Sequence, residues 1–550
     1  MIKKLIPLTL SLVIALAPLA IASGQAGLPS SGWWTSFQVQ NVSSQTGNLS
    51  LVAYPQDSAS SQASYSSAAF AMNAGSGLTY NPGFAPNYSG GGNRIGFCLS
   101  AATCNASVDD TLPSGFTGAV VASADVSVVA VASVNNSLNG TVGNSSGHAG
   151  GFYAGVSAPD TQLLFPLAKH NFGGNTVAYY VQAAGAPASV TITYTMNDGS
   201  THSEGPVSID LNEMHLFDPL NATPAIPSSS CGSAATSPCL GSAVVVANSG
   251  SIAGVALEFP DAPASGFAAI LGASRGFVPA DYSTTILSPI FKNDFPSATS
   301  GNFSGWSLQN TANVIATVNV TFTVTGGTGA AVGTQYFSTI TIDPLKQKTL
   351  SKFQVNIGGM PANTVASGIA TSDQPLVAVV NESNSNGAGT PFLSTFNAFA
   401  LGGASLSVAS PLNKEFFPGG IGAVNKNGTS ISVQNAGTVS ATINVIYTVI
   451  VASGGSPAAG TTYTVTIGTG QGASGTQLLA PGSSYVFNMV SDPARAFRYA
   501  GVGSSLPPST GINFAVRVTS DQPVITLMQE DNKTTGTPND LQNYEGFSLP

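Results

Sequence analysis

Trp306-Ser307-Leu308-Gln309 decides the fold, because it places apolar residues at alternate positions and ends in glutamine. Alternation with a period of two is typical of a β-strand that buries one face. The pattern occurs four times, and its first and third residues are always apolar. The other copies are Phe37–Gln40, Tyr179–Gln182 and Ile431–Gln434. Since isoleucine replaces the aromatic residue in the last copy, we predict that these first positions belong to the core rather than to a ligand platform.

A lysine motif lies upstream of the last three copies. It reads Pro-Leu/Ile-x-Lys-x-x-Phe and begins at Pro166, Pro289 and Pro411, with spacings of 123 and 122 residues. A period held this closely predicts a tandem repeat. The motif lysines are Lys169, Lys292 and Lys414, and the motifs end at Phe172, Phe295 and Phe417.

Hairpins and a closing motif are predicted downstream of each copy. Runs rich in Val, Ile and Thr, followed by glycine-containing turns such as Asp198-Gly199 and Gly326-Gly327, indicate hairpins. The Val/Ile/Thr-rich runs are Ala188–Tyr194, Ala316–Val324 and Ser440–Ile450. Ser372–Val380 then matches Ser520–Met528, and both read Ser-Asp-Gln-Pro before an apolar run, which predicts a turn that leads into a buried strand. Looser versions are Ser123–Ala132 and Asn248–Leu257. Each repeat ends in a Gly- or Ala-containing aromatic cluster, at Gly151–Tyr153, Gly266–Ala268, Phe396–Phe399 and Tyr544–Phe547.

The repeats predict an all-β fold, a tandem array of about four immunoglobulin-like β-sandwich units, because short strands alternate with turns and no helical periodicity is present. The Cys-Trp-Cys signature of true immunoglobulin domains is missing. We expect the units to follow one another as a rod or bent array. The predicted boundaries are 1–22 for a signal peptide, 27–160 for unit 1 with a long disulfide loop, 161–284 for unit 2, 285–406 for unit 3 and 407–550 for unit 4.

The repeats resemble an uncharacterised family of β-sandwich repeats in secreted, cell-surface proteins of environmental bacteria. The resemblance rests on Val433-Gln434-Asn435, Ser372–Glu382 and Tyr544–Phe547. It is sharpest in units 3 and 4, whereas units 1 and 2 lack Ser-Asp-Gln-Pro. It implies extracellular β-sandwich repeats at or near the cell surface and supplies no catalytic residues.

Composition excludes several classes of protein. Lys and Arg total 15 and Asp and Glu total 24 of 550 residues, a net charge of −9. Nucleic-acid binding needs clustered basic residues, so we exclude it. With 43% hydrophobic residues and a mean hydropathy of +0.23, the chain also does not fit charge-driven disorder.

The first residues predict export. Lys3 and Lys4 precede the uncharged apolar run Leu5–Ala22, which small residues follow. This is typical of a cleaved signal peptide, with cleavage after Ala22 or, as second choice, after Ala26. An uncleaved membrane anchor is the alternative, although Pro7 and Pro18 weaken it. After cleavage we expect no membrane span and an extracellular or cell-surface location.

Four cysteines fit an oxidising compartment. Cys98 and Cys104 are close in sequence, as are Cys231 and Cys239. Two local disulfides are the natural interpretation, because the two pairs are too far apart for zinc-ligand spacing.

Candidate catalytic and metal-binding residues are few. His202 with Glu204, and Glu213 with His215, form i,i+2 pairs that could build a metal site across unit 2. We favour exposed polar strand faces instead. The chain holds four histidines, and the other two are His148 and His170.

Two Gly-x-Ser-x-Gly matches, centred on Ser145 and Ser274, carry little weight because glycine and serine are abundant and no strand–helix turn is predicted. We therefore assign no catalytic residue and no cofactor.

A carboxylate recurs after the closing strand. Glu258, Glu382 and Glu530 hold this place in units 2, 3 and 4. They could bind calcium between units. We favour a structural role, as acceptors for loop amides or partners of the periodic lysines.

The leading functional prediction is a secreted, non-enzymatic structural or cell-surface protein, such as a surface-layer, fibre or sheath component. Its expected partners are further copies or other cell-envelope proteins. An adhesin that binds glycans or protein through unit 1 loops is the alternative, with an aromatic platform of Tyr80, Phe84, Tyr88 and Phe97. A secreted hydrolase acting through unit 2 ranks last.

Overall fold

The computed structural model describes most of the chain. The described residues are 10–19, 28, 33–57, 63–80, 96–99, 112–113, 115–137, 148–228, 231, 236–261, 271–296, 301–353, 357–384, 393–415, 417–418, 426–452, 457–467, 478–488, 512–532 and 542–549. The fold is all-β with antiparallel sheets, as predicted. No α-helix occurs in these residues, and short 3-10 helices span Pro219–Asn221, Pro279–Asp281 and Leu401–Gly403. Within the described part of the chain, no helix has the length and apolar character to cross a membrane.

The strands fall into four sets along the chain. Set 1 contains β1 (Leu10–Leu19), β2 (Trp33–Asn41), β3 (Gly47–Pro55), β4 (Tyr65–Ser66), β5 (Phe70–Met72), β6 (Gly77–Tyr80), β7 (Phe116–Ala124), β8 (Val128–Ser137) and β9 (His148–Ala154). Set 2 contains β10 (Gln162–Lys169), β11 (Asn175–Met196), β12 (Thr201–Ile209), β13 (Met214–Phe217), β14 (Leu240–Pro260) and β15 (Gly272–Arg275).

Sets 3 and 4 complete the chain. Set 3 contains β16 (Ser283–Asn293), β17 (Asn302–Asn310), β18 (Ala316–Gly327), β19 (Gln335–Ile342), β20 (Gln347–Leu350), β21 (Thr364–Asn384), β22 (Leu393–Asn397) and β23 (Phe399–Ala400). Set 4 contains β24 (Ser405–Glu415), β25 (Phe417–Pro418), β26 (Lys426–Asn435), β27 (Ile443–Ala452), β28 (Thr462–Ile467), β29 (Ser484–Asn488), β30 (Ile512–Asn532), β31 (Gln542–Glu545) and β32 (Phe547–Ser548).

The same pairing pattern recurs in every set. A first strand (β1, β10, β16 or β24) pairs with a long strand, which is β7 followed by β8 in set 1 and β14, β21 or β30 in the others. The far part of the long strand pairs with the Gln-motif strand and with a closing strand, which is β9, β15, β22 or β31. In set 1 the two groups are separate sheets, ordered β1-β7-β3-β4 and β6-β2-β8-β9, and the core draws on both. This arrangement is consistent with a β-sandwich.

Ser-Asp-Gln-Pro is not the turn that the sequence predicts. β21 runs through Ser372–Pro375 without a break, and its partner changes from β18 to β17 across the motif. The strand bends from one group of strands to the other, and Asp373 accepts a hydrogen bond from the backbone N–H of Thr317 (2.8 Å). Asp521 does the same for Thr442 (2.8 Å). The aspartate therefore fixes the crossing instead of capping a loop.

The asparagine after the glutamine shapes the next turn. Asn310 donates from Nδ2 to the carbonyl of Val314 (2.6 Å) and accepts from the N–H of Ala312 (2.9 Å). Asn435 makes the equivalent bonds to Val439 and Gly437, both 2.8 Å. In set 2 Ala183 stands at this place, and β11 continues through it as one strand. The asparagine side chain thus stabilises the turn after the Gln motif in sets 3 and 4.

The Gln-motif strands are buried on both faces, so the prediction of a half-buried strand is wrong. The alternating apolar residues do lie in the core, as with Trp306 and Val433, each 0% exposed. The residues between them are buried as well, because a neighbouring set covers the second face. These second-face residues are Gln38, Tyr180, Ser307 and Ser432, none of which is charged.

Each set packs against the next, and set 4 packs against set 1, so the expectation of a rod or bent array is wrong. Tyr180 of set 2 belongs to the core cluster of set 1. Val379 of set 3 lies in the core cluster of set 2, and Leu527 of set 4 in that of set 3. Phe152 of set 1 completes the cycle in the core cluster of set 4, where its ring lies 5.5 Å from that of Tyr544. Each set therefore shares apolar burial with the next, and the last with the first.

Candidate functional site

Lysine side chains and buried glutamate side chains lie at two junctions between sets. At the junction of sets 2 and 3, Lys169 forms an ion pair with Glu258, whose carboxylate also accepts a hydrogen bond from Asn381 Nδ2 of set 3 (2.5 Å). At the next junction, Lys292 Nζ lies 3.0 Å from Glu382 Oε2. Gln529 of set 4 donates to the same Glu382 oxygen (3.3 Å). We call this arrangement of lysine, glutamate and amide the junction triad.

The two junction triads are the same device. Both lysines come from a first strand, both glutamates from the far part of a long strand, and both amides from the long strand of the following set. Glu258 and Glu382 are 2% and 0% exposed. A buried carboxylate needs compensation, which the ammonium and the amide N–H supply. The predicted pairing of periodic lysines with periodic glutamates is confirmed for these two. Glu530 is buried at the third position, and the Lys414 side chain lies outside the described residues.

The four closing strands meet at the centre of the molecule. β15 packs against β9 and β22, and β31 packs against β22 and β9. The register places four different residues at one equivalent position: Ala154, Arg275, Asn397 and Glu545. Because the four closing strands pack together, they bring residues of different sets into contact.

Arg275 connects three of the sets. Its guanidinium bonds Asp281 (2.8 and 3.1 Å) and Glu545 of set 4 (3.1 Å). Its backbone exchanges hydrogen bonds with the Asn397 side chain of set 3, at 3.0 and 2.8 Å. Burial alone would lower the pKa of Arg275, but the two carboxylates raise it above its usual range. This cluster is a charged centre shared by sets 2, 3 and 4.

The two carboxyl groups of the cluster differ in their electrostatics. Burial opposes ionisation of Asp281, but Arg275 overcomes it and lowers the Asp281 pKa below its usual value. Burial dominates at Glu545 and raises its pKa despite the same arginine. Asp281 therefore stays ionised beside Arg275 to a lower pH than Glu545 does.

The closing cluster predicted for unit 2 is in the wrong place. Gly266–Ala268 lies outside the described residues, and the structural equivalent is Ser274-Arg275-Gly276-Phe277. The backbone of Phe277 pairs with Leu164 of the first strand, as Phe399 pairs with Leu287 in set 3. Ser274, the centre of one Gly-x-Ser-x-Gly match, is therefore a buried residue within a strand. The other match, at Ser145, lies outside the described residues.

The histidines of the predicted metal site make separate contacts. His202 Nδ1 lies 2.7 Å from the carbonyl oxygen of Pro224, and its Nε2 lies 3.0 Å from Ser200 Oγ. His215 Nδ1 lies 2.5 Å from Asp57 Oδ2 of set 1. His202 is buried rather than exposed, so the favoured interpretation as an open polar face is wrong for that residue. Among the described residues, no group of three or more His, Cys, Asp or Glu side chains is placed to hold a metal ion.

Glu204 and Glu213 lie near His215 without forming a ligand set. Burial raises the pKa of Glu204 to about 7, although His215 and hydrogen bonds from Asp218 and Asn221 oppose the shift. Burial, Asp210 and Asp57 also raise the pKa of Glu213. The remaining histidines are His170, whose Nδ1 lies 2.8 Å from the carbonyl oxygen of Ile226, and His148, which begins β9.

The aromatic platform predicted for unit 1 does not form as proposed. Tyr80 and Phe97 are 2% and 1% exposed, and their rings lie 5.2 Å apart in the set 1 core. Phe37 stacks on Tyr80 at 5.2 Å. The apolar rings are withdrawn from solvent because they fill the space between the two sheets. Phe84 and Tyr88 lie outside the described residues.

One of the two predicted disulfides is present. Cys231 and Cys239 are bonded, which ties the loop before β14. Cys98 is described, but Cys104 lies outside the described residues, so the first bridge stays a prediction.

Comparison with known proteins adds little to this description. The protein-family models give no match, and the curated proteins give none either. Among solved structures, the chain is similar to a Thermotoga maritima protein described as Thermotoga maritima 1070, at 17% identity and a TM-score of 0.18. The match covers 22% of this chain and 94% of that one. At this TM-score the likeness supports no statement about fold or function.

Proposed function

We propose that the protein is a secreted, non-enzymatic structural component of the cell surface, built from four immunoglobulin-like β-sandwich units. The junction triad carries the proposal. Only 7% of the residues are charged, yet two lysines and two glutamates recur in matching buried positions that join one set to the next. Charges placed this way serve the cohesion of the molecule rather than a reaction.

The contacts of the candidate catalytic groups support the same proposal. His202 and His170 are engaged by backbone carbonyls, and Ser274 is buried within a strand. A nucleophile and its base need hydrogen-bond reach of each other and of a substrate. Burial of Tyr80 and Phe97 likewise takes two of the four residues of the predicted aromatic platform away from any ligand of the adhesin alternative.

Export and location are tested on the native organism. Cells are fractionated and imaged with a labelled antibody against the chain, and the N-terminus of the recovered protein is sequenced. The proposal predicts an envelope or extracellular protein in ordered assemblies, beginning near Ser23 or Gly27. Recovery from the cytoplasm, or an enzymatic activity that His202→Ala abolishes at unchanged melting temperature, would overturn it.

A further inference from the structure

The segment with the features of an export signal occupies the first-strand position of set 1. β1 pairs with β7 in the antiparallel sense, from Leu10 opposite Ala124 to Leu19 opposite Phe116. All four first strands share one irregularity, in which the pairing skips two residues of the first strand. The skipped residues are Ala17-Pro18, Pro166-Leu167, Pro289-Ile290 and Pro411-Leu412.

Proline has no N–H to donate, so it suits a bulge, and each skip contains one. Pro18 is the second of the two residues skipped in β1, whereas the prolines of the other first strands are the first, and this segment has no motif lysine. Leu10–Leu19 is equivalent in register to the first strands of the other sets.

This strand position also lies at a junction. β1 packs against β2 and β8 of its own set and against β11 and β14 of set 2. β10 of set 2 packs in the same way against β17 and β21 of set 3. A strand at this position therefore contacts both set 1 and set 2 and covers part of the interface between them.

The chemistry of the position differs from the other three. Val134 stands where Glu258, Glu382 and Glu530 stand, because Thr35 opposite Val134 is equivalent to Val177 opposite Glu258. On β7, Ala119, Val120 and Ala122 are each 0% exposed. A strand bearing a lysine at the triad position would bring a buried charge with no carboxylate to meet it. The position thus favours an uncharged strand.

We propose that the first-strand position beside β7 is a strand-binding site, filled in the exported protein by an extended, uncharged, apolar strand that a neighbouring polypeptide donates. The inference rests on the proposed export, which removes Leu10–Leu19 and leaves unpaired the edge of β7 that faces away from β3. Backbone hydrogen bonds to β7 supply affinity, as in strand addition to a sheet edge, and Val134 supplies selectivity against lysine-bearing strands. The 10 residues of β1 define the length of strand required.

The experiment uses the full chain with a protease site inserted after Ala22. After folding and cleavage, the protein is unfolded and refolded with a fluorescent peptide of sequence Leu10–Leu19 on a soluble tail. We expect one peptide per chain and a higher melting temperature than without peptide. The same peptide with Val13→Pro and Ile14→Pro loses a donor to β7 whichever of these two adjacent N–H groups faces it, so it should bind at least about 10-fold more weakly.

A peptide of Gln162–Lys169, which ends in the motif lysine, should also bind at least about 10-fold more weakly. Equal binding of all three peptides, binding to the uncleaved chain, or no binding of the Leu10–Leu19 peptide would each overturn the proposal. These outcomes are independent of export, because N-terminal sequencing of the native protein tests processing separately.

Discussion

Lys292 Nζ lies 3.0 Å from Glu382 Oε2 although the two residues are 90 positions apart in the chain and Glu382 is 0% exposed. The amide of Gln529 meets the same oxygen from the following set (3.3 Å). Removing both charges of an ion pair from water is unfavourable, so a buried pair stabilises the fold only if its geometry is good and further hydrogen bonds satisfy it. Here one pair orients the first strand of set 3 and the long strand of set 4 together.

Removing one partner of this pair should be costly. Lys292→Met leaves Glu382 buried without its cation, and we expect a loss of about 3–5 kcal/mol in the free energy of unfolding. The double variant Lys292→Met/Glu382→Leu should recover much of that loss, because it removes the uncompensated charge. Urea unfolding followed by intrinsic fluorescence measures both.

The exposed pair Lys346–Asp343 is the matched control, with a side-chain exposure of 58% at Asp343. Asp343→Asn should change stability by less than about 1 kcal/mol. If Lys292→Met is as mild as this control, the junction triad does not hold the sets together.

The triad was within reach of sequence reasoning, whereas the Arg275 cluster was not. Lys292 and Glu382 each hold a fixed place in the repeat, so the sequence predicts a structural role for the glutamate, as a partner of the lysine or as an acceptor for loop amides. Arg275, Asn397 and Glu545 are equivalent in register but differ in residue type, so no repeat pattern connects them. The sequence before β15 also contains Gly266–Ala268, which has the composition of a closing cluster although Ser274–Phe277 is the structural equivalent.

The packing of set 4 against set 1 was harder to predict from the sequence than the junction triad. Alternation in the Gln motif predicts one buried face correctly, but it says nothing of what covers the other face. The absence of charge at Gln38, Tyr180, Ser307 and Ser432 was the signal that could have revealed the second buried face. Contacts between sets depend on the path of the whole chain, which local periodicity does not contain.

Arg275→Met should destabilise the centre of the molecule. It leaves the carboxyl groups of Asp281 and Glu545 without their shared cation, at an expected cost of about 3 kcal/mol near neutral pH. Because Arg275 lowers the Asp281 pKa, the wild-type advantage is present above the usual aspartate pKa of 3.8 and is lost as the pH falls below it. Thermal melts of both proteins between pH 3 and pH 7 should therefore converge at the acid end.

Arg517→Met serves as the control for the arginine, since Arg517 is exposed and bonds the hydroxyl of Ser407. It should cost less than about 1 kcal/mol and show no such convergence. A pH-independent penalty for Arg275→Met would mean that packing, not charge, accounts for its role.

Glu204 should make the protein less stable as the pH rises. Its pKa of about 7 in the fold exceeds the ordinary value of 4.5, so between these values the folded state binds more protons than the unfolded state. Its contribution is complete below about pH 4.5 and is lost as the pH rises through about 7. Glu204→Gln should remove this slope and raise the melting temperature at pH 8 relative to wild type.

Asp198→Asn is the comparison for that titration, because hydrogen bonds from Ser200 lower the Asp198 pKa despite an opposing effect of burial. Asp198→Asn should lower the melting temperature near neutral pH, and its difference from wild type should shrink as the pH falls below 3.8, the opposite pH dependence to that of Glu204. An unchanged pH slope in Glu204→Gln would show that the carboxyl group titrates normally in the fold.

Val433→Asp should disrupt set 4. Val433 is 0% exposed in the Gln-motif strand, and it belongs to the core cluster that also contains Phe152 of set 1. An unpaired carboxylate there costs several kcal/mol, on the order of 3 or more, because neither face of the strand reaches water. Val439→Asp is the matched control, since Val439 is 55% exposed in the adjoining turn and should tolerate the same change. Melting temperature and protease sensitivity of the two variants separate the cases, and equal tolerance would mean that the strand register of β26 is wrong. Because the cluster spans sets 4 and 1, we expect Val433→Asp also to expose sites in β9 to proteolysis, which a chain of independent units would not show.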